Sequence, residues 1–166
     1  MLKKNIVIFY IATIIFILDR LSKYYILELS KSVEKLDMPI TSFLNFNLVF
    51  NNGIAFGLLS VDGKFYYNII TLIIIAITFL VLVMAIKTNG IEKYCFSMIF
   101  GGSLGNIFDR LYYSSVIDFI DIHINNIHWF IFNFADIFIT TGVVVLVLFE
   151  VFKKKIWENL LFAYYF

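Results

Sequence analysis

The chain contains almost none of the residues on which metal, thiol and disulfide chemistry depend. Its 166 residues include one cysteine, Cys95, and two histidines, His123 and His128. A single cysteine excludes an internal disulfide, and no Cys/His cluster has the spacing of a metal site. Metal centres need three or four converging ligands. We therefore expect neither a metal nor a cofactor in this protein.

Charge is also scarce. Charged residues make up 15% of the chain, hydrophobic residues 61% and aromatic residues 19%, whereas an average soluble domain is about a quarter charged. The net charge of +1 offers no basic surface for nucleic acid. Long apolar runs and a single proline exclude a disordered chain. The composition predicts one integral membrane domain over residues 1–166.

Four apolar segments are candidate membrane-spanning helices, since a span needs about 20 mostly apolar residues. The predicted spans are 5–26, 65–86, 94–111 and 134–152. Lysines flank these spans in three short regions, at residues 3–4, 87–93 and 153–155. Because cytoplasmic flanks are enriched in Lys and Arg, we expect both termini to lie in the cytoplasm.

The connections 27–64 and 112–133 then face outward. Apolar side chains at every second position from Leu44 to Phe50 predict a strand with these side chains on one face. We expect a small β-structure over about residues 38–60, between the first two helices. We expect a loop in the second connection and the tail 156–166 at the inner membrane interface.

Polar residues of the predicted spans fall at one depth. With a rise of about 1.5 Å per residue, Asp19 lies roughly 21 Å along the first span, and Asn106 and Asp109 lie roughly 18 and 23 Å along the third. Asp136 is close to the outer end of the fourth span, and Asp118 belongs to the outer connection. Ionisable residues within spans usually face the bundle interior or a wet cavity and mark function. We therefore expect these side chains to converge near the outer face.

Ion pairing is an alternative role for some of these residues. Asp19 and Lys23 are four residues apart and share a helix face, so they can pair. Asp109 can likewise pair with the neighbouring Arg110. For these residues the sequence leaves a purely structural role open.

Asp118 and Asp136 have no basic residue nearby in the sequence, so ion pairing fits them less well. Two carboxyl groups close together near an apolar boundary repel, and one of them keeps its proton at neutral pH. The ionised group can take a proton from water while the protonated one donates to a carbonyl oxygen or a leaving amine. Such a pair can hydrolyse a peptide bond without metal, thiol or cofactor.

Other functions remain open on the residues alone. A small proton-coupled transporter would use intramembrane Asp residues, although no internal repeat is visible here. The GGSLG run matches a serine-nucleophile motif that requires a strand-to-helix turn, and a rhomboid-like protease would use Ser103 with His123 or His128. Within an apolar helix, Gly101 and Gly105 fit close helix packing better. A structural subunit of a membrane assembly is a further alternative.

Five ordered blocks of sequence resemble the bacterial lipoprotein signal peptidase family, signal peptidase II. They are DRLSK (19–23), NNGIAF (51–56), GGSLGNIFDR (101–110), VIDFID (116–121) and FNFAD (132–136). The resemblance covers most of the chain, in matching order and with matching topology. Ile54 departs from it, because the family usually has Ala at that position, and this puts the fine shape of the lipid-side pocket in question.

The resemblance implies an all-α membrane protein with four transmembrane helices and a small extracytoplasmic β-cradle. It implies an aspartyl endopeptidase of the bacterial plasma membrane, which cuts diacylglyceryl-modified prolipoproteins N-terminal to the lipidated cysteine. It also implies contact with membrane lipid and inhibition by globomycin-type cyclic peptides, and we expect a monomer. Its active site would face the extracytoplasmic side.

The family motifs also imply roles for particular residues. Asp118 and Asp136 would be the catalytic pair. Residues that line the site and hold the substrate or the pair would be Asn51, Gly53, Asn106, Arg110 and Asn133. Supporting residues would be Asp19, Lys23 and Asp109. Asp121, three residues after Asp118, is expected to be a solvated or loop-ordering carboxylate.

Overall fold

The computed structural model describes the backbone of residues 2–53, 64–124 and 127–165, and the side chains of residues 5–53, 64–124 and 130–155. Within these residues the chain forms four helices and a four-stranded sheet. The elements are α1 (Leu2–Ser30), β1 (Asp37–Pro39), β2 (Leu44–Asn51), α2 (Lys64–Lys87), α3 (Ile91–Tyr113), β3 (Val116–Ile124), β4 (Ile127–Phe132) and α4 (Phe134–Tyr165). The remainder of the NNGIAF block, Ile54 and the side chains of the tail 156–166 lie outside the described residues.

Each predicted span lies inside one helix, and each helix extends a few residues further. By length and composition, three helices could cross a membrane, namely Asn5–Ser30 of α1, Lys64–Lys87 of α2 and Phe134–Lys155 of α4. The more polar α3 packs against all three of the others, which contact one another little. Its polar side chains are therefore sheltered by neighbouring helices, which explains its lower hydropathy.

Small residues allow α3 to approach two of its neighbours closely. A Cβ atom on Gly101 would lie 2.8 Å from the Cα of Ala12 in α1, and one on Gly102 would lie 2.6 Å from the carbonyl oxygen of Ala135 in α4. A Cβ atom on Gly105 would lie 2.5 Å from Oδ2 of Asp19. The predicted packing face of Gly101 and Gly105 is confirmed, and GGSLG lies inside a helix rather than at a strand-to-helix turn.

The sheet has the order β1-β2-β3-β4, with all neighbours antiparallel. The predicted β-structure between the first two helices is confirmed by β1 and β2. The prediction of a loop in the connection 112–133 is wrong, because this connection forms β3 and β4 of the same sheet. Every residue from Val116 to Asp121 is buried, so this strand has no apolar-polar alternation to reveal it. The buried residues Ile117, Phe119 and Ile120 pack with Ile26 of α1 into a core beneath the sheet.

A bulge in β2 determines which side chains face the site. Phe46 pairs with Ile120 and Val49 with Asp118, so β2 has one extra residue between these pairs. An extra residue of this kind reverses the face of the sheet on which the following side chains of the strand lie. The prediction that Phe50 shares a face with Phe46 is therefore wrong, and Phe50 is 53% exposed. The same shift puts the side chain of Asn51 on the face that carries Asp118.

Candidate active site

Asp118 lies near the start of β3 with 2% of its surface exposed. Its carboxyl group accepts two side-chain hydrogen bonds, from Nδ2 of Asn51 at 2.9 Å and from Nδ2 of Asn133 at 2.6 Å. Burial raises the pKa of Asp118 to about 7, and the nearby Asp136 carboxylate adds to the rise. The two amide donors act in the opposite direction.

Asp136 lies in the first turn of α4, where the chain turns from β4 into the helix. The backbone N–H of Asn133 donates to Oδ2 of Asp136 at 3.2 Å, and the backbone N–H of Asp136 donates to Oδ1 of Asn133 at 3.0 Å. This reciprocal arrangement is a capping box. The cap has a consequence for the site, because the side chain of Asn133 also donates to Asp118. One asparagine thus contacts both acids.

Asn106 of α3 holds the other oxygen of Asp136. Its Nδ2 donates to Oδ1 of Asp136 at 2.8 Å. Its own oxygen accepts from Nζ of Lys23 and from Nδ2 of Asn133, both at 3.2 Å. Two donors on the oxygen fix the orientation of this amide, so that its N–H₂ group faces Asp136.

Four charged side chains lie behind the two acids, of which Asp19, Lys23 and Asp109 are buried and Arg20 is half-buried. Lys23 contacts Asp19 at 3.0 Å and Asp109 at 2.6 Å, and Arg20 contacts Asp19 at 2.5 Å and Asp109 at 2.6 Å. The predicted Asp19–Lys23 pair is confirmed. The predicted pairing of Asp109 with Arg110 is wrong, because Asp109 pairs with two residues of α1 instead.

This charge cluster also anchors the elements that carry the two acids. Oδ1 of Asp19 accepts from the backbone N–H of Ala135, and Oδ2 of Asp109 accepts from the backbone N–H of Ile117, both at 3.2 Å. Ala135 precedes Asp136 and Ile117 precedes Asp118. Each supporting carboxylate is therefore bonded to the backbone immediately before one acid of the pair.

Arg110 connects α3 to the end of β2. Its Nη2 donates to the carbonyl oxygen of Gly53, and the N–H of Gly53 donates to Oδ1 of Asn51 at 2.8 Å. Asn51 in turn donates to Asp118. Nη1 of Arg110 is buried and has no hydrogen-bond partner among the described residues.

A cavity of about 200 Å³ lies among these groups. Its polar lining consists of Asn51, Ser103, Asn106, Arg110, Asp118, Asp136 and Thr140, and its apolar lining of Ile74, Val116 and Ile139. Both acids and Arg110 therefore border one space. Among the described residues, no group of three or more His, Cys, Asp or Glu side chains is arranged as a metal site.

Comparison with known proteins identifies the family. The model of the family described as signal peptidase (SPase) II matches residues 11–152. The chain belongs to the signal peptidase II family. It is 48% identical to the lipoprotein signal peptidase of Pelagibacter ubique (strain HTCC1062) over 90% of this chain and 91% of that one. It is 41% identical to the lipoprotein signal peptidase of Francisella tularensis subsp. novicida (strain U112), over 93% and 98% of the two chains.

A solved structure agrees with this assignment. A bacterial membrane enzyme determined by the in meso method at 2.3 Å resolution superposes with a TM-score of 0.71 at 32% identity, over 90% of this chain and 89% of that one. Membership of the signal peptidase II family makes the chain a membrane protease. The alternative of a proton-coupled transporter has no support in these comparisons.

Asp121 and Ser103 were the other candidates for catalytic residues in the sequence. Asp121 is 1% exposed in β3, opposite Asn45, so the expectation of a solvated carboxylate is wrong, whereas the alternative of a loop-ordering carboxylate stays a prediction. Three residues along a strand it faces away from Asp118, and it does not line the cavity. No hydrogen bond joins Ser103 to a histidine within the described part of the chain, where His123 pairs across the sheet with His128.

Sequence reasoning missed two residues near the site. Arg20 closes the charge cluster, and Tyr67 of α2 lies against Arg110, with the guanidinium carbon 5.3 Å from the ring centroid. An arginine inside an apolar segment was a usable signal for Arg20. No signal pointed to Tyr67, because an aromatic residue at a helix end is common at a membrane interface.

Proposed function

We propose that this signal peptidase II is an aspartyl endopeptidase that removes the signal peptide from diacylglyceryl-modified prolipoproteins. The bond it cuts is N-terminal to the lipidated cysteine. One observation carries the catalytic assignment: the carboxyl groups of Asp118 and Asp136 accept hydrogen bonds from the same residue, Asn133, through its side chain and its backbone N–H respectively, and both acids border the same cavity. The names of the relatives support the substrate class.

In the proposed reaction the two acids share one proton. Asp118, whose pKa is about 7, holds the proton in the resting enzyme, and Asp136 is ionised. The Asp136 carboxylate takes a proton from water as the water oxygen attacks the scissile carbonyl carbon, and Asp118 donates to the carbonyl oxygen. The tetrahedral intermediate is then a gem-diol, Asp118 is ionised and Asp136 is protonated. As the intermediate collapses, one gem-diol hydroxyl returns its proton to Asp118, the C–N bond breaks and the leaving amine takes the proton of Asp136, which restores the starting state of both acids. The signal peptide leaves with a new carboxyl terminus.

The surrounding residues hold the reacting groups in place. Asn51, Asn106 and Asn133 donate to the two carboxyl groups and fix their orientation. Arg110 binds the substrate's peptide backbone, because its Nη1 is buried and lacks an acceptor among the described residues, and Gly53 bonds to both Arg110 and Asn51 at the edge of the site. The supporting residues Asp19, Lys23 and Asp109, with Arg20, anchor the backbone before each acid.

The proposed setting is the outer leaflet of the bacterial plasma membrane. In this proposal α3 crosses the membrane together with α1, α2 and α4, which makes four transmembrane helices. Both termini are cytoplasmic, and the sheet is the cradle on the extracytoplasmic side. A cavity of about 200 Å³ is too small for a whole signal helix, so that helix lies between the spans and the acyl chains extend into lipid. Globomycin-type cyclic peptides compete for the same cavity, and the enzyme acts as a monomer.

Cleavage of paired substrates tests this function. The purified protein is incubated in detergent with one prolipoprotein that carries the diacylglyceryl group and with the same precursor lacking it, and products are identified by mass spectrometry. We expect a single cut before the modified cysteine and at least about a hundredfold slower cleavage of the unmodified precursor. Equal cleavage of both, or a cut elsewhere, would contradict the substrate assignment.

A further inference from the structure

Tyr67 is the buried aromatic residue of α2 that lies against the site. It is 9% exposed, whereas the neighbouring Tyr66 is 57% exposed. The guanidinium of Arg110 lies over its ring, with 5.3 Å between the guanidinium carbon and the ring centroid. The Tyr67 hydroxyl also donates to the backbone carbonyl oxygen of Arg110 at 3.4 Å. The ring is therefore held against both the side chain and the backbone of one residue.

The contact constrains the direction of the arginine's donors. All five N–H groups of a guanidinium lie in its plane, and a ring packed against the group limits how far that plane can turn. One edge of Arg110 donates through Nη2 to Gly53. The other nitrogen, Nη1, is buried, lacks a partner among the described residues, and belongs to a side chain that borders the cavity.

A buried N–H without an acceptor is costly, so an acceptor is expected to arrive with the substrate. The acceptor must reach the cavity that both acids border. A peptide carbonyl oxygen next to the scissile bond meets that requirement. The flexible side chain of Arg110 would lose this alignment if the ring packed against its guanidinium were removed.

We infer that Tyr67 is a positioning residue for substrate binding: its ring holds the Arg110 guanidinium so that Nη1 donates to a backbone carbonyl of the bound peptide. The inference rests on the proposed peptidase function. It assigns α2 a role in substrate recognition through a residue that itself touches neither the acids nor the scissile bond.

Steady-state kinetics on the lipid-modified precursor tests the inference. Removing the ring with Tyr67→Leu is expected to raise KM about tenfold, in the range of a desolvated cation–π contact, while kcat changes less than about twofold. Tyr67→Phe keeps the ring and removes only the hydroxyl, so it is expected to restore KM. The control is Tyr66→Leu, an equal change at the exposed neighbour, with KM as in the wild type.

Combination with Arg110→Gln separates positioning from general packing. Arg110→Gln is expected to raise KM by itself, and adding Tyr67→Leu is expected to cause no further rise, because the ring acts only through the arginine. A multiplicative effect of the two changes, or a Tyr67→Phe enzyme as impaired as Tyr67→Leu, would overturn the inference. If Tyr67→Leu does not fold, Tyr67→Met is subject to the same expectations.

These outcomes also separate the inference from the proposed function. If Tyr67→Leu leaves KM unchanged and the enzyme still cuts before the lipidated cysteine, the role of Tyr67 is disproved and the peptidase assignment stands. If both Asp118→Asn and Asp136→Asn still cleave the precursor, the aspartyl mechanism is disproved, but the comparison of KM between the Tyr67 variants remains valid.

Discussion

At the scale of single residues, Asn133 links two structural functions that are usually separate. It caps α4, and it donates to one acid while its backbone donates to the other. A carboxylate in its place could accept from the Asp136 N–H but could not donate to Asp118. The amide is therefore required for the contact with Asp118, and helix capping alone would not require it.

The raised pKa of Asp118 predicts a falling activity at alkaline pH. The reaction needs one protonated and one ionised acid, and burial with the nearby Asp136 charge raises the pKa of Asp118 to about 7. As pH rises through about 7, Asp118 loses its proton and the enzyme loses its acid. We expect kcat/KM for the lipid-modified precursor to fall about tenfold for each further pH unit above that point. A profile that stays level to pH 9 would contradict the role of Asp118 as the acid.

The charge cluster illustrates how far sequence spacing can predict contacts. Asp19 and Lys23 are one helical turn apart, so their pairing followed from spacing. Asp109 and Arg110 are adjacent, and adjacent helix positions point in directions about 100° apart, so their pairing was a poor expectation. The actual partners, Arg20 and Lys23, both belong to α1, and Arg20 is 89 residues away in sequence. Such contacts depend on how the helices pack.

At the scale of elements, close approach of α1 and α3 supports the site. Gly105 lies where any side chain would collide with the carboxylate of Asp19, which anchors the backbone before Asp136. The spacing of small residues was enough to predict this packing face. The bulge in β2 was not predictable, because an extra residue leaves the apolar pattern of the strand unchanged and alters only its register.

Gly105→Ala is expected to destabilise the protein and impair cleavage together. Overpacking of this kind typically costs about 1–3 kcal/mol, and displacement of Asp19 should disturb the start of α4. Thermal unfolding in detergent and kcat/KM measure the two effects. Ala76→Leu, on the exposed face of α2, is the control and should change neither. A Gly105→Ala enzyme with wild-type melting temperature and activity would show that α1 and α3 can separate without consequence.

At the scale of the whole molecule, the site is assembled from elements distant in sequence. Asn51 comes from β2, Asn106 from α3, Asp118 from β3 and Asp136 from α4. Depth arithmetic predicted that the polar residues of the helices meet at one level, and the motifs predicted which residues to examine. Neither could predict that Asp118 lies in a buried strand. Because β3 is apolar on both faces, its sequence lacks the apolar-polar alternation that marks a strand, and its two acids favoured the interpretation as a loop.

The aspartate pair is the central claim, and cleavage by matched Asp→Asn variants tests it most directly. Asp118→Asn, Asp136→Asn and Asp121→Asn are purified, their folding is verified by thermal unfolding, and the rate of signal-peptide release from lipid-modified precursor is measured. We expect the first two to lose at least about a thousandfold in kcat, within the range for general acid–base groups. Asp121→Asn should keep its rate, because Asp121 faces away from the cavity. Wild-type release by a folded Asp118→Asn or Asp136→Asn enzyme would contradict the account.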